Sequence, residues 1–97
     1  MYSKSYLAYA NIIKKGATQV NEPMLDGKIV GDVIAEQRKR KGISQEVLSG
    51  LADIGRTHLS AIERGERKPT LETFYKICCA LGVKMETVIK EIERRLN

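Results

Sequence analysis

The 97-residue chain has no tryptophan, one phenylalanine and four tyrosines, too few aromatic faces for a platform that stacks single-stranded bases. It has one histidine, His58, and two cysteines, Cys78 and Cys79, which are adjacent. Neighbours on a helix point to different faces, so this pair suits neither a disulfide framework nor a zinc site. A reducing cytoplasm and no metal are expected. Glycine-rich phosphate loops are missing, as is any converging set of acid, base and nucleophile, so we expect no catalytic residue and no cofactor. No apolar run approaches the roughly 20 residues of a membrane span. The N-terminus lacks the continuous apolar stretch of a signal peptide.

What the chain does have is clustered positive charge. It carries 17 basic and 12 acidic side chains, a net +5, a balance that favours a polyanionic partner. Arg38-Lys39-Arg40-Lys41 is one block; Arg64, Arg67 and Lys68 make another. Between 28 and 97 lie 14 of the basic and 10 of the acidic residues, so the charge sits mostly in the C-terminal three quarters. The length suits one domain whose core is adequate without staples.

Hydrophobic spacing predicts five helices in that part. The first runs over about 28–41, with Val30, Val33 and Ile34 inward and its basic block at the helix end that favours cations. The second covers 45–52, with Ser44 as its cap and Leu48, Leu51 and Ala52 at helical spacing. Asp53-Ile54-Gly55 then breaks the pattern, and Asp tolerates a left-handed backbone better than most residues. The third starts at Arg56 and ends at Gly65, with Leu59 and Ile62 inward; Arg56, Thr57, Ser60 and Ala61 are expected to face out. The fourth covers 71–81 behind a Thr70 cap, with Leu71, Phe74, Ile77, Cys78 and Leu81 on one face and Cys79 more exposed. The fifth, about 84–95, carries Met85, Val88, Ile89, Ile92 and Leu96, a stripe longer than one small core needs. Val88, Ile92 and Leu96 are therefore the candidate dimer interface. Residues 1–26 form an N-terminal extension. Tyr2, Tyr6, Tyr9 and Ile13 recur at three- and four-residue spacing, the pattern of a short amphipathic helix, and 17–26 read as a linker with Pro23 as a breaker. This extension is a candidate surface for another protein.

The stretch from Ile43 to Pro69 resembles the lambda-repressor-like (Cro/Xre) helix-turn-helix family. The matching residues are Ser44-Gln45, Leu48, Ala52, Ile54, Arg56-Thr57, Leu59-Ser60, Ile62-Glu63-Arg64-Gly65, Pro69 and Leu71-Glu72-Thr73. Lys41-Gly42 precedes them and Ala80-Leu81-Gly82-Val83 follows. Two positions depart from the family pattern: Asp53 stands where glycine is frequent in the turn, and Gly55 where Ser or Thr commonly caps the third helix. The resemblance implies an all-α fold, a compact five-helix domain whose third helix enters the DNA major groove. It also implies a cytoplasmic, sequence-specific transcriptional regulator of double-stranded DNA, a repressor-type homodimer on a near-palindromic operator. The same family includes antitoxins, which act as protein-binding modules, and controllers of restriction–modification operons.

Within that frame each exposed residue has a chemical role to fill. Arg56 can donate two hydrogen bonds to guanine, Thr57 and Ser60 can reach base edges, and Ala61 can touch a thymine methyl. Arg38, Ser44, Gln45, His58, Arg64 and Lys68 are the candidates for phosphate. A pairing of Arg38 with Glu63 is also expected, because a carboxylate beside the inward Ile62 needs a partner.

Overall fold

The computed structural model describes residues 23–96. These form helices α1 (Gly27–Arg40), α2 (Gln45–Ala52), α3 (Arg56–Glu63), α4 (Leu71–Leu81) and α5 (Met85–Leu96), with no strand among the described residues. The caps explain the starts. Asp26 accepts a hydrogen bond from the Lys28 N–H at 2.9 Å, so α1 opens one residue earlier than expected and Asp26 belongs to it rather than to a linker. Ser44 Oγ accepts from the Val47 N–H at 3.1 Å and Thr70 Oγ1 from the Thr73 N–H at 3.0 Å, each filling one of the orphan donors of a helix start. The expected helix over 1–16 lies outside the described residues.

One core serves all five helices. Val33, Ile34, Leu48, Leu59, Ile62, Ile77, Cys78 and Val88 are almost fully buried. α1 packs on α3 and α5, α2 on α4 and α3, and α4 on α5. The inward residues expected for α1 and α3 are buried, as are Leu48 and Ala52 of α2, whereas Leu51, placed on the same stripe by its spacing, is 64% exposed. Two expectations for the last two helices need correction. Leu71 is 71% exposed, because as the residue after the Thr70 cap it sits at the helix tip, beyond the core. Val88 and Ile92 are only 1% and 6% exposed; the α1–α5 contact already covers them, which leaves Ile89 and Leu96 as the open part of the stripe.

The approach of α1 to α3 is closer than side chains would permit. A Cβ on Gly31 would overlap the Ile62 carbonyl oxygen and lie 2.6 Å from that of Glu63. Gly65, at φ 79°, closes the end of α3, and a Cβ there would come within 2.7 Å of the Lys28 Cα. The α1 backbone is thus laid directly on the last turn of α3. At the other end of α1, Glu36 accepts from both Nη atoms of Arg95 at 2.6 and 2.9 Å, and Arg95 Nε reaches Glu91 at 2.7 Å. This cluster ties the C-terminal turn of α5 to α1. Hydrogen bonds from Arg94 and Arg95 hold the Glu91 carboxyl down to about 2.

Gly31→Ala should lower stability by about 1–3 kcal/mol in urea unfolding despite its better helix propensity, as overpacking does. Gly50→Ala, where nothing lies within 4 Å of a new Cβ, should instead raise it by about 1 kcal/mol. Glu91 has a depressed folded pKa, so its stabilisation is present above the ordinary value of 4.5 and lost as pH falls toward about 2. Glu91→Gln should flatten the acid decline of melting temperature in that window.

Candidate nucleic-acid interface

The turn between α2 and α3 sets the direction of α3. Asp53 adopts φ 55° and ψ 48°, the one left-handed non-glycine among the described residues. The Ile54 N–H reaches back to the Ser49 carbonyl at 3.0 Å, which closes α2 and turns the chain within three residues. Gly55 then precedes α3 with no side-chain cap. The first N–H groups of α3 therefore face outward beside Arg56 and Thr57, both exposed.

The far end of α3 is anchored. Glu63 in its last turn has a side chain only 5% exposed, and Arg38 from α1 is 12% exposed. Arg38 Nε donates to Glu63 Oε2 at 2.7 Å and Nη2 to Oε1 at 3.0 Å, a two-pronged pair. Nη1 donates to the Ile43 carbonyl at 2.9 Å. Gln45 Nε2 donates to Glu63 Oε1 at 2.9 Å. The Glu63 hydrogen bonds push the Arg38 guanidinium above its ordinary pKa. One carboxylate thus joins the end of α1, the start of α2 and the end of α3. The Arg38–Glu63 pair was expected from sequence. The third member, Gln45, was expected only at phosphate; its place at the start of α2, facing the inward Glu63, gave no separate signal.

The candidate contacts divide accordingly. Arg38 is corrected from a phosphate ligand to a positioning group, since three of its nitrogens bond within the protein. Ala61 is corrected as well: it is 8% exposed, because its carbonyl turns the loop back through the Glu66 and Arg67 N–H groups at 2.9 and 3.3 Å and that loop covers it. Ser60 is half-buried and its hydroxyl accepts from Arg64 Nη1. Arg64 also forms a two-pronged pair with Glu66, at 2.8 and 3.0 Å, and both side chains are more than half exposed. Arg56, Thr57, Ser44 and Lys68 are exposed, and His58 is half-buried on α3. Neither Arg56 nor Lys68 has an ion pair among the described residues. No helix of the described residues is long and apolar enough to cross a membrane, and no group of three or more potential metal ligands occurs among them.

The fold that carries this arrangement is matched in known proteins. The helix-turn-helix family profile fits residues 34–88. The chain belongs to the Cro/C1-type helix-turn-helix family. A transcriptional regulator of this type from Sinorhizobium fredii, y4dJ, is 41% identical over 56 residues, covering 58% of this chain and 73% of that one. The restriction–modification controller protein C.AhdI from Aeromonas hydrophila is 31% identical with a TM-score of 0.64, over 67% of this chain and 98% of the controller. The controller C.Esp1396I, solved as a tetramer with its natural 35 base-pair operator, is 34% identical with a TM-score of 0.62, over 72% of this chain and 97% of that one. The chain is a DNA-binding helix-turn-helix transcriptional regulator, from a family of regulators rather than enzymes.

The buried anchor can be tested against an exposed control. Glu63→Gln leaves Arg38 without its counter-charge in a nearly dry site; the cost of stranding a buried partner is about 3–5 kcal/mol, less at a margin such as this. Glu66→Gln removes an exposed pair worth about 0–1 kcal/mol. The melting temperature should therefore fall clearly further for Glu63→Gln, and equal values would refute the anchor.

Proposed function

We propose that this regulator binds a near-palindromic operator as a homodimer of repressor type, with the start of α3 as its reading head. The observation that carries the reading is the exposed, unpaired Arg56 beside Thr57 at the uncapped start of α3. A guanidinium there can bond guanine O6 and N7 together, and Thr57 can bond an adjacent base edge. Ser44 and the free N–H groups at the start of α2 take a phosphate oxygen, with the remaining Gln45 N–H, since helix starts favour anions. Lys68 and half-buried His58 grip phosphate on the other flank. Arg64 joins them by exchanging Glu66 for phosphate, which releases the Ser60 hydroxyl toward the bases. An exposed pair is weak enough for that exchange.

One such domain reads few base pairs. Two copies related by a two-fold axis place their reading helices about 34 Å apart on one face of the duplex and double the contacts. Control of a restriction–modification operon is the second reading, favoured by the two controllers that align over nearly their whole length.

Selection of bound sites from a random duplex library tests the proposal. One enriched near-palindrome is expected; a single asymmetric half-site would overturn the dimer. Arg56→Ala should weaken the specific complex by about 1–3 kcal/mol and relax preference at one base position. Lys68→Ala should weaken all sequences alike and reduce the salt slope by about 1. An unchanged motif for Arg56→Ala would remove that residue from the reading head.

A further inference from the structure

The basic block at the end of α1 divides by helical phase, successive residues turning by about 100°. Arg38 turns to α3, where Glu63 and the Ile43 carbonyl hold it. Arg40 follows Glu36 by one turn and shares its face, beside the Glu36–Arg95 pair of α5. Glu36 is held below its ordinary pKa by hydrogen bonds from Arg95 and, less, by the charge of Arg40. Lys39 lies between these two faces on the outer side of α1, exposed. Lys41 returns to the face of Val30, Ile34 and Gln37, at steps of four, three and four. That face carries the core, but at Lys41 the core has ended and the side chain is exposed. The chain then turns back through Gly42, at φ 69°. Two hydrogen bonds of 2.9 Å tie this turn to α1, from the Gly42 N–H to the Lys39 carbonyl and from Arg38 to the Ile43 carbonyl. Ser44 comes three residues after Lys41, at most about 11 Å away. The guanidinium that holds α3 therefore also holds Lys41 beside the start of α2.

We propose that Lys41 alone of this block binds DNA, gripping the backbone phosphate next to the one taken at the start of α2. The proposal rests on the DNA reading and extends it to a cation which that reading leaves unused. Lys41 and Lys39 have no ion pair among the described residues. The start of α2 also carries a charge of the wrong sign for phosphate, the exposed carboxylate of Glu46 in its first turn. A cation at Lys41 offsets it and leaves the helix-start N–H groups free to act on the anion. An ammonium on a flexible stem suits a phosphate whose exact place varies with sequence. At the opposite end of α1 the stem of Lys68 lies against Gly27. The two lysines thus stand about 20 Å apart along that helix, wide enough to hold both strands that border a major groove about 12 Å across.

The test uses the full chain with two probes, the duplex enriched by site selection and a scrambled duplex of the same length. Lys41→Gln should lower the salt slope by about 0.9 on both, which at 0.15 M salt is about a fivefold loss of affinity. Lys41→Arg, which keeps the charge, should restore the slope, and phosphate-ethylation interference should lose one position at the flank of the half-site in Lys41→Gln. Lys39→Gln and Arg40→Gln, equal losses of charge in the same block, should leave slope and interference pattern as in wild type. An unchanged slope in Lys41→Gln would overturn the proposal, and so would equal losses in all three variants, which would make the block a diffuse field. Wild type that binds neither duplex in a salt-dependent way would overturn the DNA reading itself and this contact with it, a result seen before any variant is compared.

Discussion

The orientation of α3 depends on one carboxylate. Glu63 sits where α3 ends against α1, and its two oxygens take three hydrogen bonds, two from Arg38 and one from Gln45. Burying such a pair carries a large desolvation cost, and a well-packed apolar substitute is often as stable. Its value here is geometric. An apolar patch would hold α3 against α1 in several rotations, whereas a planar guanidinium facing a planar carboxylate accepts few. Because Gln45 opens α2, the same carboxylate sets where the start of α2 lies relative to α3. Those two starts are the surfaces proposed to meet phosphate and base.

The glycine contacts work in the same direction. Gly31 lets the α1 backbone rest on the carbonyls of Ile62 and Glu63, so the carboxylate of Glu63 lies within reach of Arg38, two turns further along the same face of α1. With a larger residue at Gly31 the helices would separate, and Arg38 and Glu63 would have to stretch across the gap. Close backbone approach and the ion pair are therefore one constraint expressed twice, first in sterics and then in charge.

Much of this was legible in sequence because it is local. Asp53 in a left-handed turn, the Ser44 and Thr70 caps, and the inward positions Val30, Val33, Ile34, Leu48, Ala52, Leu59 and Ile62 follow from short-range rules that need no tertiary partner. What was not legible depends on neighbours distant in the chain. Val88 and Ile92 carry the same apolar signal whether α1 or a second protein covers them, and only the packing of α5 on α1 decides. Ala61 has an outward helical phase, yet the loop at Glu66–Arg67 folds over it. Gly31 carries no sequence signal of its own, and its role appears only when α3 lies across it.

The two arginine–glutamate pairs at the end of α3 differ chiefly in solvent exposure. Both have two-pronged geometry with bonds of 2.7–3.0 Å. Arg38 and Glu63 are nearly dry, so parting them would leave charges without water or partner, and that pair behaves as structure. Arg64 and Glu66 are more than half exposed, so water replaces either partner at little cost, and salt screens what remains. On the proposed reading a phosphate oxygen, which also carries negative charge and a matching geometry for guanidinium, takes the place of Glu66. The same chemistry thus yields a fixed strut on the inner side of α3 and a movable contact on the outer side. On the proposed reading α3 stays rigid while its backbone contacts adjust to DNA, and the burial of each carboxylate decides which part its pair plays.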